Sequence, residues 1–129
     1  LGVKKDVSSF VIPVGATINM DGTAIMQGLA TMFIASTAGV DLSMVEYMQI
    51  VLLAMVASIG AAAVPSAGTI TLALILSSLG LPLDAIGLIL AVDRILDMIR
   101  TSVNVTGDSA VACIVANSEN LLDKEVFNK

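Results

Sequence analysis

The sequence predicts an all-α membrane protein that combines a broken transmembrane helix, a re-entrant helical hairpin and a long amphipathic transmembrane helix. Of the 129 residues, 57% are hydrophobic and 13% are charged, whereas about 25% of a soluble domain is usually charged. Glycine, proline, asparagine and aspartate interrupt the apolar runs, and the charges of the last run follow one narrow helix face. With a net charge of −5 and no basic cluster, the chain is not expected to bind nucleic acid.

The rare residue types narrow the function further. The chain contains no His and one Cys, which excludes imidazole-based catalysis and an internal disulfide. We expect no enzymatic activity and no cofactor. Since the sequence begins at Leu1 and shows no signal peptide, we expect it to be a piece of a larger protein.

Residues 7–38 form the first apolar run, which is long enough to cross a bilayer at about 20 residues per crossing. Gly15 and the segment 19–23, which reads Asn-Met-Asp-Gly-Thr, interrupt it with poor helix formers. We predict a broken helix whose halves cover 7–18 and 23–38. Unwound backbone at mid-membrane depth is tolerated where it lines a water-filled cavity, and its carbonyls suit a hard cation.

Residues 44–79 form the second apolar run, whose centre at 58–68 is rich in small residues and contains a proline. Each arm has about 12 to 16 residues, or roughly 18–24 Å of helix, which is too short for a hydrocarbon core of about 30 Å. A re-entrant hairpin therefore fits better than a membrane span. The alternative is one long helix with a proline kink.

The third run predicts a helix over 83–117 with a polar face. At about 100° per residue, five side chains fall within a sector of about 80°: Asp93, Asp97, Arg100, Asn104 and Asp108. One guanidinium cannot neutralise three carboxylates, and an unpaired buried carboxylate costs several kcal/mol. The face is therefore expected to meet water or cations, and the alternative is a structural ion pair of Asp97 with Arg100.

The lysines indicate how the chain lies in the cell membrane. Lys4 and Lys5 stand at one end and Lys124 and Lys129 at the other, while the internal loops have none. Two spans and a hairpin place both ends on the same side. The positive-inside rule then makes both ends, including the polar tail 118–129, cytoplasmic.

The polar groups together describe one kind of ligand. Arg100 offers a planar fork for a carboxylate, and Asp97 offers an acceptor for an ammonium group. Asp21 beside Asn19 adds oxygen ligands for Na⁺, although Asp21 also suits the N-cap of a half-helix. These groups predict an acidic amino acid bound together with sodium. A cation channel pore segment and a structural membrane bundle are alternatives.

Three segments, 15–23, 58–68 and 93–108, resemble the signature stretches of the glutamate transporter family, the dicarboxylate/amino acid:cation symporters. The resemblance covers nearly the whole chain. It implies the C-terminal part of the transport domain of an inverted-repeat fold, with the seventh transmembrane helix, the second hairpin as extracellular gate, and the eighth helix. It further implies sodium-coupled symport of glutamate or aspartate by homotrimers in the lipid bilayer, whose transport domains move like elevators.

The resemblance also implies residue roles. The substrate contacts would be Thr23, Val64, Gly68, Asp97, Arg100, Thr101 and Asn104. Asp93 would orient Arg100. One sodium site would use Gly15, Asn19, Asn104 and Asp108. A second would use Thr17, Ser58, Ile59 and Ala61 near the sulfur of Met20. A third would use Asp21 and the Asn19 side chain.

Two features bear on the substrate and the coupling ion. The presence of both Arg100 and Asp97 favours glutamate or aspartate over neutral amino acids and C4-dicarboxylates. Ala63 stands where many relatives have glycine at the hairpin tip, which would reshape the gate. The alternative within the same family is a proton-coupled glutamate or C4-dicarboxylate symporter.

Overall fold

The computed structural model describes residues 1–60 and 67–128. Within these ranges the chain is all helical, apart from one isolated antiparallel β-bridge between Val3 and Leu122. The helices are α1 (Lys5–Ile18), α2 (Asp21–Thr37), α3 (Met44–Gly60), α4 (Ala67–Ser78), α5 (Ile86–Leu90), α6 (Asp93–Ser118) and α7 (Lys124–Phe127), with a 3₁₀ turn (Leu83–Ala85) before α5.

The first apolar run is divided between α1 and α2. Asn19 (φ −104°, ψ 73°) and Met20 (φ −111°, ψ 58°) leave the helical conformation. The second half begins at Asp21, two residues before the expected position. Because a carboxylate is favoured in the first turn of a helix, Asp21 fits the start of α2 better than its interior.

Glycines in the left-handed conformation end α2 and α4. Gly39 has φ +69° and Gly80 has φ +68°. Beyond them, the N–H of Val40 donates to the Ala35 carbonyl at 3.0 Å, and the N–H of Leu81 donates to the Leu76 carbonyl at 2.9 Å. This pattern satisfies carbonyls that the last turn leaves free, and it explains why both helices stop where they do.

The second apolar run forms the helices α3, of 17 residues, and α4, of 12 residues. The predicted hairpin tip falls mainly on residues 61–66, which lie outside the described residues. Ser43 and Glu46 form a capping box at the start of α3: the Ser43 N–H and hydroxyl both donate to the Glu46 carboxylate at 2.7 Å.

The prediction of a single helix over 83–117 is wrong, because the structure divides this segment into the 3₁₀ turn, α5 and α6. Val92 (φ −114°, ψ 3°) interrupts the helix, and Asp93 occupies the first turn of α6. A carboxylate is disfavoured inside a helix and stabilised near its N-terminus, so the break places Asp93 where it is tolerated. With 26 residues, α6 is about 39 Å long.

The core lies where α2 meets α4 and the 3₁₀–α5 region. It consists of the buried residues Ala30, Ile34, Ala35, Leu72, Leu76, Leu81 and Ile89. α2 is central, since it also packs against α3 and α6. Many large apolar side chains on the outside are exposed, for example Phe10 at 70% and Met44 at 76%.

Judged by length and hydropathy together, no helix among the described residues qualifies as a membrane span.

Candidate functional site

The site is built on one face of α6, and its first part is the contact with the end of α1. Asp108 is buried, with 6% of its surface exposed. The Asn19 side-chain amide donates to Asp108 Oδ1 at 2.9 Å. A Cβ at Gly15 would collide with the same carboxylate. The carboxyl group therefore lies directly on the backbone of α1, beside the break in the helix.

Gly107 lets the side chains at the break between α1 and α2 lie close to α6. A Cβ at Gly107 would lie 3.2 Å from Asn19 Nδ2 and 3.5 Å from Asp21 Oδ2. The side chains of Asn19 and Asp21 thus lie over Gly107, next to Asp108. Three of the predicted sodium ligands are thereby brought to one place: Asn19 directs its amide nitrogen there, while Asp21 and Asp108 supply carboxylate oxygens of the type that a hard cation prefers.

The start of α2 forms the second contact with α6. The Gly22 N–H donates to Asn104 Oδ1 at 2.8 Å, and Asn104 Nδ2 donates to Thr23 Oγ1 at 3.4 Å. Thr23 is buried, with 3% exposed. The Asn104 amide therefore satisfies one of the N–H groups that the first turn of α2 leaves without a partner.

Gly22 also fixes how closely α2 approaches α6. A Cβ at this position would collide with the main-chain carbonyl oxygen of Arg100. Since a backbone carbonyl inside a helix cannot move aside, the close approach depends on glycine.

The charged part of the site is the ion pair between Arg100 and Asp97, three residues apart on α6. The Arg100 side chain is 19% exposed and the Asp97 side chain 40%. The guanidinium also lies against α4, since a Cβ at Gly68 would collide with Arg100 Nη1. Arg100 is thus held between its own helix and the first turn of α4.

Several predicted site residues are not brought into this cluster. Thr101 and Ile59 are exposed. Thr17 is exposed and donates to the Pro13 carbonyl of its own helix at 3.1 Å. The buried Ser58 hydroxyl donates to the Met55 carbonyl at 2.8 Å. No described hydrogen bond joins Thr17 to Ser58, and Ala61 of the same predicted sodium site lies outside the described residues.

Four further assignments concern positions that are peripheral or not described. Met20 lies in the break between α1 and α2 and is partly buried. Asp93 is partly buried in the first turn of α6. Ala61 and Val64 lie outside the described residues, as does Ala63. No group of three or more acidic, Cys or His side chains that could hold a metal ion occurs within residues 1–60 and 67–128.

A cavity of about 520 Å³ adjoins the site between α2, α5 and α6. Its walls are mainly apolar and include Met26, Phe33 and Leu96, together with Gly22 and Arg100. The Arg100 region therefore has an apolar surface on one side and the ion pair with Asp97 on the other.

Gln27 is a site-adjacent residue that the sequence analysis missed. It is buried, and its Nε2 donates to the Gly68 carbonyl at 2.9 Å and to the Thr71 hydroxyl. The sequence does indicate its importance, because Gln27 is the only strongly polar side chain between Thr23 and Thr31. It also follows Thr23 by four residues, which places both on the same face of α2.

Comparison with known proteins gives a consistent result. A sequence model of the sodium:dicarboxylate symporter family matches residues 1–118. The excitatory amino acid transporter of Onchocerca volvulus is 55% identical over 115 residues, which are 89% of this chain and 23% of that protein. Excitatory amino acid transporter 2 of Mus musculus is 55% identical over 115 residues, 89% of this chain and 20% of that protein.

A third relative matches nearly the whole chain. Excitatory amino acid transporter 1 of Rattus norvegicus is 50% identical over 128 residues, which are 99% of this chain and 23% of that protein. The chain thus spans about a fifth of the length of the curated relatives it matches.

Proposed function

Because the chain belongs to the sodium:dicarboxylate symporter family, we propose that it forms the C-terminal part of the transport domain of a sodium-coupled symporter for glutamate or aspartate. The relatives named above carry the name excitatory amino acid transporter, which supports an acidic amino acid as substrate. The longer protein would carry out the transport, and this segment would supply a large share of the ligands.

The observation that carries the proposal is the Arg100–Asp97 ion pair beside Gly68. An acidic amino acid has one ammonium and two carboxylate groups. Its side-chain carboxylate would take the Arg100 fork, and its ammonium would take Asp97. The substrate would then replace one ion pair by two. A dicarboxylate offers no cation to Asp97, so that carboxylate would be left without its partner.

Thr23 and Asn104 would complete the polar lining. They already form a hydrogen bond to each other, and Asn104 holds the first turn of α2. Asn104 follows Arg100 by four residues on α6, about one helical turn. Val64, Gly68 and Thr101 would add contacts as the resemblance implies, and Asp93 would support Arg100.

Sodium would bind at the break between α1 and α2. Asp108, Asn19 and Asp21 lie together there, and Gly15 presents its backbone to the Asp108 carboxylate. A bound cation would offset the negative charge of Asp108, which has no cationic partner among the described residues and whose desolvation is therefore costly. The remaining predicted ligands at Thr17, Met20, Ser58, Ile59, Ala61 and Asn104 belong to this proposal.

The proposed setting is the cell membrane, with both ends of the segment cytoplasmic and the full-length protein a homotrimer of elevator type. The contact between the two ends supports a common side. The Lys4 N–H donates to the Leu121 carbonyl at 3.2 Å, and the Asp123 N–H donates to the Gly2 carbonyl at 2.8 Å. The hairpin built from α3 and α4 would be the extracellular gate.

The test is calorimetric titration of L-aspartate and L-glutamate into the purified full-length protein, in sodium and with choline in its place. Binding in sodium alone is the expected result, and the ratio of the two affinities identifies the preferred substrate. Equal binding in choline would indicate that protons, and not sodium, are the coupling ion. Binding of succinate with neither amino acid bound would refute the acidic amino acid assignment.

A further inference from the structure

Gln27 connects α2 to α4 at the end of α4 that lies beside Arg100. Its Nε2 donates to two acceptors on α4: the Gly68 carbonyl at 2.9 Å and the Thr71 hydroxyl. Only 3% of Gln27 is exposed. A buried primary amide whose nitrogen donates to a neighbouring helix is a specific connection between the two helices.

The orientation of the amide follows from its partners. A backbone carbonyl can only accept a hydrogen bond, so the nitrogen of Gln27 has to face Gly68. Gln27 Oε1 consequently points elsewhere, and it has no hydrogen-bond partner among the described residues. Burying an acceptor without a partner lowers the stability of the folded state. An apolar residue at position 27 would avoid this loss.

The hydrogen bonds of Gln27 to α4 lie next to the ion pair of Arg100 with Asp97. Gly68 accepts from Gln27 through its carbonyl, while its Cα lies against Arg100 Nη1. Farther along, α4 is held to α2 by the apolar core, through Leu72 and Leu76. Residues 68–71 at the start of α4 are therefore held by polar contacts and the remainder of the helix by hydrophobic packing, so the two can be weakened separately.

We propose that Gln27 is a positioning residue for substrate binding, which holds the first turn of α4 against α2 and so keeps Gly68 beside the Arg100 guanidinium. The inference rests on the proposed function, since it requires an acidic substrate at Arg100. Loss of the Gln27 contacts would leave the core intact and free the first turn of α4. Substrate would then bind to an arrangement that is populated only part of the time, and its apparent affinity would fall.

The main variant is Gln27→Met in the full-length protein, since methionine has a similar length and no hydrogen-bond donor. Aspartate affinity in sodium is expected to fall about tenfold, as the loss of one to two net hydrogen bonds predicts. Hydrogen exchange of the amides of the first turn of α4 is expected to rise, while that of Leu76 stays unchanged. A merely stabilising residue would lower the yield and thermal stability without moving the affinity.

A double-mutant cycle with Thr71→Val tests the contact itself. Because both changes remove the same hydrogen bond, their effects on affinity are expected to be less than additive. Thr37→Val is the matched control, because Thr37 donates to the Ile34 carbonyl of its own helix at 3.0 Å and makes no described hydrogen bond to α4. Its effect should add to that of Gln27→Met.

The outcomes separate this inference from the proposed function. If the unaltered protein binds no acidic amino acid, the proposed function fails and the exchange measurement alone reports on the Gln27 contact. If the unaltered protein binds aspartate, and Gln27→Met has the same affinity and the same exchange in the first turn of α4, the positioning role is refuted.

Discussion

Replacing Gly22 by alanine tests the packing on which the site depends. An added Cβ would meet the Arg100 main-chain carbonyl oxygen and lie 3.1 Å from the carbon atoms C and Cα of the same residue. None of these atoms can rotate away, so α2 and α6 would have to separate. The Gly22–Asn104 hydrogen bond of 2.8 Å would be lost with that movement.

The expected cost combines two effects of opposite sign. Alanine improves helix propensity by about 1 kcal/mol relative to glycine. Overpacking against backbone costs about 1–3 kcal/mol, and the lost hydrogen bond costs about 1 kcal/mol more. The net expectation is a destabilisation of about 1–3 kcal/mol.

Gly28→Ala is the matched control. Gly28 lies in the same helix, and a Cβ there would find nothing within 4 Å. The control therefore carries the gain in helix propensity without the clash, and it is expected to keep or raise stability.

The assay is thermal unfolding of the purified full-length protein, followed by aspartate titration in sodium. Gly22→Ala should lower the unfolding temperature below that of both the unaltered protein and Gly28→Ala, and it should weaken aspartate binding because Arg100 and Asn104 are displaced. Equal unfolding temperatures for the two alanine variants would refute the close contact of α2 with α6.

Three further changes test separate parts of the site. Arg100→Cys should abolish the binding of acidic amino acids measured by calorimetry. Arg94→Cys, at an exposed position of the same helix, should leave this binding unchanged. Unchanged affinity in Arg100→Cys would show that Arg100 is not part of the site. Asp108→Asn retains the shape and removes the charge, so aspartate affinity at a fixed sodium concentration should fall at least about tenfold, and a sodium titration with an unchanged midpoint would contradict this. Gly80→Ala forces alanine into φ +68° and should cost about 1 kcal/mol in thermal unfolding, a result that equal stability would contradict.

The sequence predicts the break between α1 and α2 because local chemistry causes it. Asn19 and the following Asp and Gly weaken the helix wherever they stand. The starting residue of α2 was harder to predict. Asn104 stabilises its first turn from 82 positions away by accepting from the Gly22 N–H, and no local pattern reports such a contact.

The division between α5 and α6 could not be predicted in the same way. The two residues between the helices are Ala91 and Val92, and neither is a residue type that usually interrupts a helix. The interruption shows only in the backbone conformation of Val92. Asp93 was recognised as part of a polar face, but the same residue also favours a helix start. Periodicity alone does not decide between the two.

Helical periodicity predicts the polar face of α6, and the structure shows what three of its residues contact. Arg100, Asn104 and Asp108 follow one another at intervals of four, so they lie along a single face. Arg100 meets α4 at Gly68, Asn104 meets α2 at Gly22, and Asp108 meets α1 at Gly15. Gly15 and Gly68 allow a helix terminus to approach the polar side chain closely, and Gly22 allows α2 to approach the backbone of α6.

This arrangement means that the polar face of α6 is largely a packing surface for three helix ends. A ligand that drew Arg100 away from Asp97 would change the contact with α4, and a cation at Asp108 would change the contact with α1. Because α6 is one continuous helix from Asp93 to Ser118, both events act on the same rigid element. Substrate and sodium would therefore be coupled if each favours the same placement of the three helix ends, as linkage requires.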